Sequence, residues 1–158
     1  MPTMYVISGC NGSGKTTASY TILSELLQCR AFVNSDEIAR GISPFDLSNA
    51  AIDAGRVMLK RVRELSESKE DFAIETTLAV RSFASLIEKT KKKGYDVMLV
   101  YFWLKSPDLA VKRVQSRVMA GGHTIPENVI RRRYWSGIQN LFNIYIPLSD
   151  RWLLIYNS

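Results

Sequence analysis

The chain has 158 residues, 46% of hydrophobic type and 23% charged. That is the size of one domain with enough apolar side chains to bury a core, and it excludes an intrinsically disordered chain. The longest strongly apolar run, residues 97–104, is too short to span a bilayer as a helix. Met1-Pro2-Thr3-Met4 lacks the basic start of a secretory leader, and Cys10 and Cys29 alone make no disulfide framework. The expectation is one soluble cytoplasmic domain spanning residues 1–158, with no membrane segment. The net charge of +6 is unevenly placed: residues 1–80 hold 8 Lys and Arg against 10 Asp and Glu, whereas residues 81–158 hold 13 against 5. Such asymmetry suits an anionic partner, either phosphates or nucleic acid.

In chain order, residues 3–8 predict a first strand. Residues 15–28 predict a helix with Ala18, Ile22, Leu26 and Leu27 on one side. Ala31-Phe32-Val33 is a short second strand, followed by a helical turn at 37–40. Apolar residues recur at helical spacing from Leu47 to Leu65, which predicts a long amphipathic helix over 47–67. Phe72-Ala73-Ile74 is a third strand, and a helix over 81–93 stops at Gly94. Residues 97–104 are apolar on both faces, as the middle of a parallel sheet requires.

Ser106-Pro107-Asp108 is a helix start with a capping hydroxyl, proline in the first turn and an acid facing the dipole. That helix runs to about 119 and breaks at Gly121-Gly122. Thr124 and Glu127 have the spacing of a capping box and open the next helix. Residues 152–156 form a last strand. Asn140, Asp150, Trp135, Phe142, Tyr145 and Trp152 read as packing and loop residues. Alternating strands and helices predict an α/β fold, with about five parallel strands and helices on both faces.

Gly9-Cys10-Asn11-Gly12-Ser13-Gly14-Lys15-Thr16 matches GxxxxGK[ST] between a strand and a helix. Its backbone N–H groups can surround an anion, Lys15 can reach the β- and γ-phosphates, and Thr16 can ligate Mg²⁺. Gly9, Asn11, Gly12, Ser13, Gly14, Lys15, Thr16 and Thr17 are therefore the expected ATP-binding set. Cys10 reads as a passive loop thiol. The loop alone names no reaction. The Asn-Lys-x-Asp motif of a GTPase is absent, and the apolar strand ends in Leu104-Lys105 rather than in the acid of a motor-type ATPase. A small kinase is the most economical reading.

Such an enzyme needs an acid at the carboxyl end of a neighbouring strand. Asp36 follows the second strand and is either a general base or a helix cap. Glu75 closes the third strand and serves either the acceptor and the Mg²⁺ waters or a structural pairing with an arginine. Thr76 and Thr77 either hydrogen-bond a polyhydroxy substrate or form a turn.

These segments, Gly-Cys-Asn-Gly-Ser-Gly-Lys-Thr-Thr (9–17), Val-Asn-Ser-Asp-Glu-Ile-Ala (33–39) and Ala-Ile-Glu-Thr-Thr-Leu (73–78), recur in a known order. With Arg-Val-x-x-Arg-Val-x-x-Gly-Gly-His (113–123) and Ile-Arg-Arg-Arg-Tyr (130–134), the chain resembles the zeta-toxin-like P-loop kinases over nearly its whole length. The resemblance implies ATP- and Mg²⁺-dependent phosphorylation of a hydroxyl. UDP-N-acetylglucosamine is the acceptor of the family's toxin members, and an antitoxin protein is an implied partner. It makes Lys15 and Thr16 the ATP and Mg²⁺ ligands, Asp36 the base and Glu75 an acceptor-site residue. Arg117, with Arg131 or Arg133, would be lid arginines.

The sequence itself supports a lid over about 106–140. Arg113 and Arg117 share a helix face, Arg131 to Arg133 sit on the next helix, and the glycine pair between them permits a tight mobile turn. His123 reads as a loop residue. The chain is shorter than the toxins and lacks long acceptor-side insertions. It ends just after the last strand, where related folds continue beside the adenine, so either base recognition is minimal or the chain is truncated. A kinase for a nucleoside, an antibiotic or a dinucleotide is the nearest competing reading. A polynucleotide kinase or RNA-binding ATPase would need a continuous basic groove with stacking aromatics, whereas these arginines cluster near the phosphate loop.

Overall fold

The computed structural model describes residues 1–26, 28–122 and 124–158. Leu27 and His123, with the roles expected of them, lie outside the described residues. The chain builds a five-stranded, all-parallel sheet in the order β2-β3-β1-β4-β5. The strands are β1 (Thr3–Gly9), β2 (Phe32–Asn34), β3 (Phe72–Thr76), β4 (Asp96–Trp103) and β5 (Arg151–Tyr156). The helices are α1 (Lys15–Thr21), α2 (Ser35–Ile42), α3 (Leu47–Ser68), α4 (Phe83–Lys92), α5 (Pro107–Met119), α6 (Glu127–Asn140) and α7 (Ile146–Leu148). No helix among the described residues is long and apolar enough to cross a membrane.

Every residue of β1 is buried, because successive side chains enter opposite cores. Met4 and Val6 join the larger core with Phe72, Ile74, Val97 and Leu99, covered by Met58, Val62 and Leu65 of α3 and Ile87 of α4. Tyr5 and Ile7 face the smaller core, covered by Leu23 and the partly buried Ala18 of α1. A third cluster sits above the carboxyl ends of the strands, where Ala110, Val111 and Val114 of α5 meet Ile130 and Tyr134 of α6 over Cys10 and Leu104.

Several local expectations are corrected. α1 passes into a π-helical turn over Ile22–Leu26. α6 starts at Glu127 behind Pro126 with no side-chain cap, so the capping box expected from Thr124 does not form. The segment before β5 is not loop but a second π-helical turn (Leu141–Tyr145) running into α7. Tyr145 is buried there and donates to Val80 O. Trp135, Phe142 and Trp152 are 60%, 49% and 54% exposed, so they pack only in part, Trp135 edge-on against Tyr134 and Phe142 beside Trp103. Ser106 does cap α5, accepting from Leu109 N at 3.2 Å.

The carboxyl half of α6 is clamped to the β3–α4 turn. Asn140 Nδ2 donates to Leu78 O at 2.8 Å, where Leu78 has φ +62°. Gly137 lies so close that an added Cβ would sit 2.7 Å from Thr77 O. Gly137→Ala is therefore expected to destabilise the fold by roughly 1–3 kcal/mol, as overpacking against backbone does, despite alanine's better helix propensity. Urea unfolding checks this, and an unchanged midpoint would mean that the turn yields.

Candidate functional site

The site begins where β1 ends. Gly12 and Gly14 adopt φ +81° and +83°, a region open to glycine without steric cost. Gly12 leaves no room for a side chain: a Cβ would lie 2.8 Å from Ala110 O of α5. Gly14 is the residue before α1, so the loop opens onto that helix's N-terminus. Ser13 N donates to Cys10 O at 3.1 Å. Asn157, past the end of β5, braces the loop by donating from Nδ2 to Ser13 O at 2.6 Å. The Ser13 hydroxyl is fully buried and has no partner among the described residues. Burial pushes the Cys10 thiol up to about 11, which leaves it protonated and inert.

Strand register brings the acids to the loop. Glu75 stands opposite Ile7 on one side and Asn34 on the other. Its Oε1 accepts from Thr16 Oγ1 at 2.6 Å, its Oε2 accepts from Asn34 Nδ2 at 2.9 Å, and Lys15 Nζ lies 3.9 Å from Oε1. Glu75 is thus paired with a lysine and a threonine, not with an arginine. Burial raises its pKa, with Lys15 and Thr16 pulling the other way. Burial likewise lowers that of Lys15, opposed first by Glu75. Lys15 Nζ also donates to Cys10 O at 3.3 Å.

The cap of α2 is Asn34, whose Oδ1 accepts from Asp36 N at 3.0 Å and Glu37 N at 3.4 Å. Asp36 is not the cap, and its residue lines a 400 Å³ cavity with Lys15, Glu75, Thr76 and Thr77. Both threonine hydroxyls accept from the turn as well, Thr76 Oγ1 from Leu78 N at 3.0 Å and Thr77 Oγ1 from Ala79 N at 3.4 Å. A second cavity of 250 Å³ lies over Gly12, Gly14 and Thr17, walled by Arg113, Ser116 and Arg117 of α5. Lys15 lines both cavities.

The three arginines of α6 separate. Arg133 Nη1 donates to Asn11 Oδ1 of the loop at 3.3 Å. Its burial lowers its pKa, with Asp36 opposing. Arg132 and Arg133 line the larger cavity. Arg131 lines neither cavity. It pairs with Asp108 Oδ1 at 2.7 Å and Glu127 Oε1 at 3.0 Å, which holds it on the outer side of the α5–α6 pair. Sequence reasoning missed Asn34 and Asn157, and placed Arg132 in the basic cluster without a role of its own. An Asn just before Ser-Asp-Glu is a readable cap signal, but nothing local marks Asn157, 144 residues from its partner.

The residues present fit a hard cation. Among the described residues no cluster of three or more His, Cys, Asp or Glu could hold a metal alone. Mg²⁺, however, takes few protein oxygens and completes its shell with waters and phosphates. The Thr16 hydroxyl and Glu75 carboxylate, 2.6 Å apart beside the loop, supply that kind of donor set.

Residues 1–143 match the zeta toxin family, and the chain belongs to it. A protein of Haemophilus influenzae of uncharacterised function is 32% identical over 126 residues, 80% of this chain and 88% of that one. The toxin–antitoxin system PezAT of Streptococcus pneumoniae contains a similar chain, with TM-score 0.76 and 17% identity over 100% of this chain and 70% of that one. Shikimate kinase of Acinetobacter baumannii shares the fold at TM-score 0.57 and 16% identity, covering 96% and 82% of the two chains. Family and fold are those of P-loop phosphotransferases.

Proposed function

We propose that this member of the zeta toxin family moves the γ-phosphoryl group of ATP onto a hydroxyl of a small polyhydroxy acceptor, a sugar nucleotide such as UDP-N-acetylglucosamine. The observation that carries the reading is the place of Lys15. It lines a glycine- and arginine-walled cavity on one side and an acid- and threonine-lined cavity on the other, as a residue between donor and acceptor must. The acceptor follows from the family's toxin members, and the polar lining of the 400 Å³ cavity suits it.

In this reading the loop amides and Lys15 hold the β- and γ-phosphates. Asp36 takes the proton of the acceptor hydroxyl as that oxygen bonds to phosphorus and the bond to the ADP oxygen breaks. Lys15, Arg117 and Arg133 spread the charge on the transferring group. Arg113 lies with Arg117 on the nucleotide side, and Thr76 and Thr77 orient the acceptor. Thr16 and Glu75 would hold Mg²⁺, which when bound supplies charge neutralisation at the phosphate oxygens. A protein antitoxin belongs to the same reading, since the pneumococcal neighbour is part of a toxin–antitoxin system.

The direct test is mass spectrometry after incubation with ATP, Mg²⁺ and a panel of sugar nucleotides, nucleosides and sugars. A product one phosphoryl group heavier from UDP-N-acetylglucosamine is expected, and ATP turnover with no phosphorylated sugar nucleotide would overturn the acceptor. The arginines give a finer test at constant net charge. Arg133→Lys and Arg117→Lys are each expected to lower kcat at least about tenfold, ~1.4 kcal/mol of transition-state stabilisation, because lysine lacks the planar fork. Arg131→Lys is expected to stay near the parent rate, because its carboxylate partners Asp108 and Glu127 also accept an ammonium. Equal losses in all three would mean that the observed separation of the arginines has no catalytic meaning.

A further inference from the structure

Helices α3 and α4 leave a groove between them with a volume of 930 Å³. On α3, residues Ile52, Arg56, Leu59, Arg63 and Ser66 all line it. Their three-, four- and seven-residue spacings form one stripe along the helix. Phe83, Leu86 and Lys89 of α4, with Lys93 just past its end, form the other wall. The floor is apolar: Met58 is 2% exposed, whereas Ile52 and Leu59 stand 66% and 41% exposed on the wall. Gly55 opens the wall further, since a Cβ there would meet nothing within 4 Å. From Ile52 to Ser66 the stripe runs about 21 Å, roughly four helical turns at 1.5 Å per residue.

The charge is one-signed. Among the described residues, five cations (Arg56, Arg63, Lys89, Lys92 and Lys93) and no carboxylate line the groove. Arg56 and Lys93 reach carboxylates outside the lining, at Asp53 and Glu67, over 3.9 and 3.8 Å. Among the described residues, Arg63, Lys89 and Lys92 have no ion-pair partner.

We propose that this groove docks an amphipathic helix of a partner protein, with an apolar stripe flanked on both sides by Asp or Glu. An aliphatic floor of this length is satisfied by anchors at i, i+4, i+7 and i+11. Acids on either flank then meet the cationic rim, which supplies selectivity and faster encounter. A nucleic acid fits less well, because among the described residues Phe83 is the lone ring in the lining and single strands bind by stacking on several. A second copy of this chain fits poorly too, since its own α3 would bring Arg56 and Arg63 against the same two residues. Ser35 and Phe83 line both this groove and the acceptor-side cavity, so the docked helix abuts the wall of the site. The inference concerns binding alone and does not rest on the phosphoryl-transfer reading.

The test uses the full chain and a fluorescein-labelled peptide of about 15 residues, the length of the groove at 1.5 Å per residue. The peptide carries Leu at i, i+4, i+7 and i+11 and Glu on the flanks, and anisotropy reports binding. Expected is saturable binding at least about tenfold tighter than a scrambled peptide of the same composition, a gap easily resolved in Kd. Ile52→Glu and Arg63→Glu are expected to weaken it about tenfold each with unchanged Tm, since both side chains are exposed and neither change opens the core. Equal binding of the scrambled peptide, or of one with Lys flanks, overturns the proposal. So does displacement of the peptide by a single-stranded RNA that itself binds more tightly, which would make the groove a phosphate track. A dimer in sedimentation that these two substitutions dissociate would also overturn it, by giving the groove to a second copy.

Discussion

Lys15→Met is expected to lower kcat by about 10³-fold, ~4 kcal/mol of transition-state stabilisation, while the protein stays folded. Phosphoryl transfer asks little covalent chemistry of a protein, and positioned charge does most of the work. Lys15 is 9% exposed, so water screens it little, and methionine keeps its stem while removing the charge. The lysine is not a free surface group, because its Nζ is the cation nearest the buried Glu75 carboxylate, at 3.9 Å. Removing it costs less than the ~3–5 kcal/mol of a broken buried pair. Thr16 and Asn34 still donate to Glu75, and a carboxyl whose pKa burial already raises can take a proton. In the variant the folded-state pKa of Glu75 rises further above its unfolded value. The penalty is therefore absent in acid and grows as pH rises through and beyond the usual carboxylate range. Adding Glu75→Gln should restore Tm at neutral pH without restoring kcat. A rate within about threefold of the parent at saturating ATP would remove Lys15 from the chemistry.

The parts of this architecture that sequence made legible are those set by local pattern. The run at 97–104 had to be a strand buried on both faces, and β4 occupies 96–103 beside β1. The loop motif is contiguous, so its conformation follows from its glycines. An acid at the end of β3 was readable, but its partners were not. Thr16 and Asn34 reach Glu75 only because β3 lies between β1 and β2, a fact of strand order that no local pattern carries. The arginine assignment turned on helical phase. Ile130, Tyr134 and Gly137 form the buried stripe of α6, which turns Arg133 toward the loop and Arg131 away. The Glu127–Arg131 spacing of four residues was a legible sign of an outward ion pair. Asn157 was beyond reach because only the strand order, with β5 on the outer side of β4, sets the end of the chain beside the loop.

Asp36→Asn is expected to lose about 10²–10⁴-fold in acceptor phosphorylation, the usual contribution of a general base, with ATP binding retained. Sequence alone left two roles for this residue, base or helix cap, and they predict different rates. Asparagine caps a helix about as well as aspartate, so the substitution would spare a capping role and remove only a base. Here Asn34 does the capping, and Asp36 occupies the first turn of α2, where its charge favours the helix dipole by only ~0.3–1 kcal/mol. The substitution keeps the shape and removes that small term, so Tm should fall by no more than a few degrees. Asn34→Ala is the converse case. It removes the cap and one donor to Glu75, and should lower Tm more than Asp36→Asn while leaving a carboxylate on the cavity wall. Measuring kcat at saturating acceptor and Tm for both variants separates the roles. If Asp36→Asn kept its rate within about threefold, the carboxylate would be a helix-end charge and the proton would have to go elsewhere.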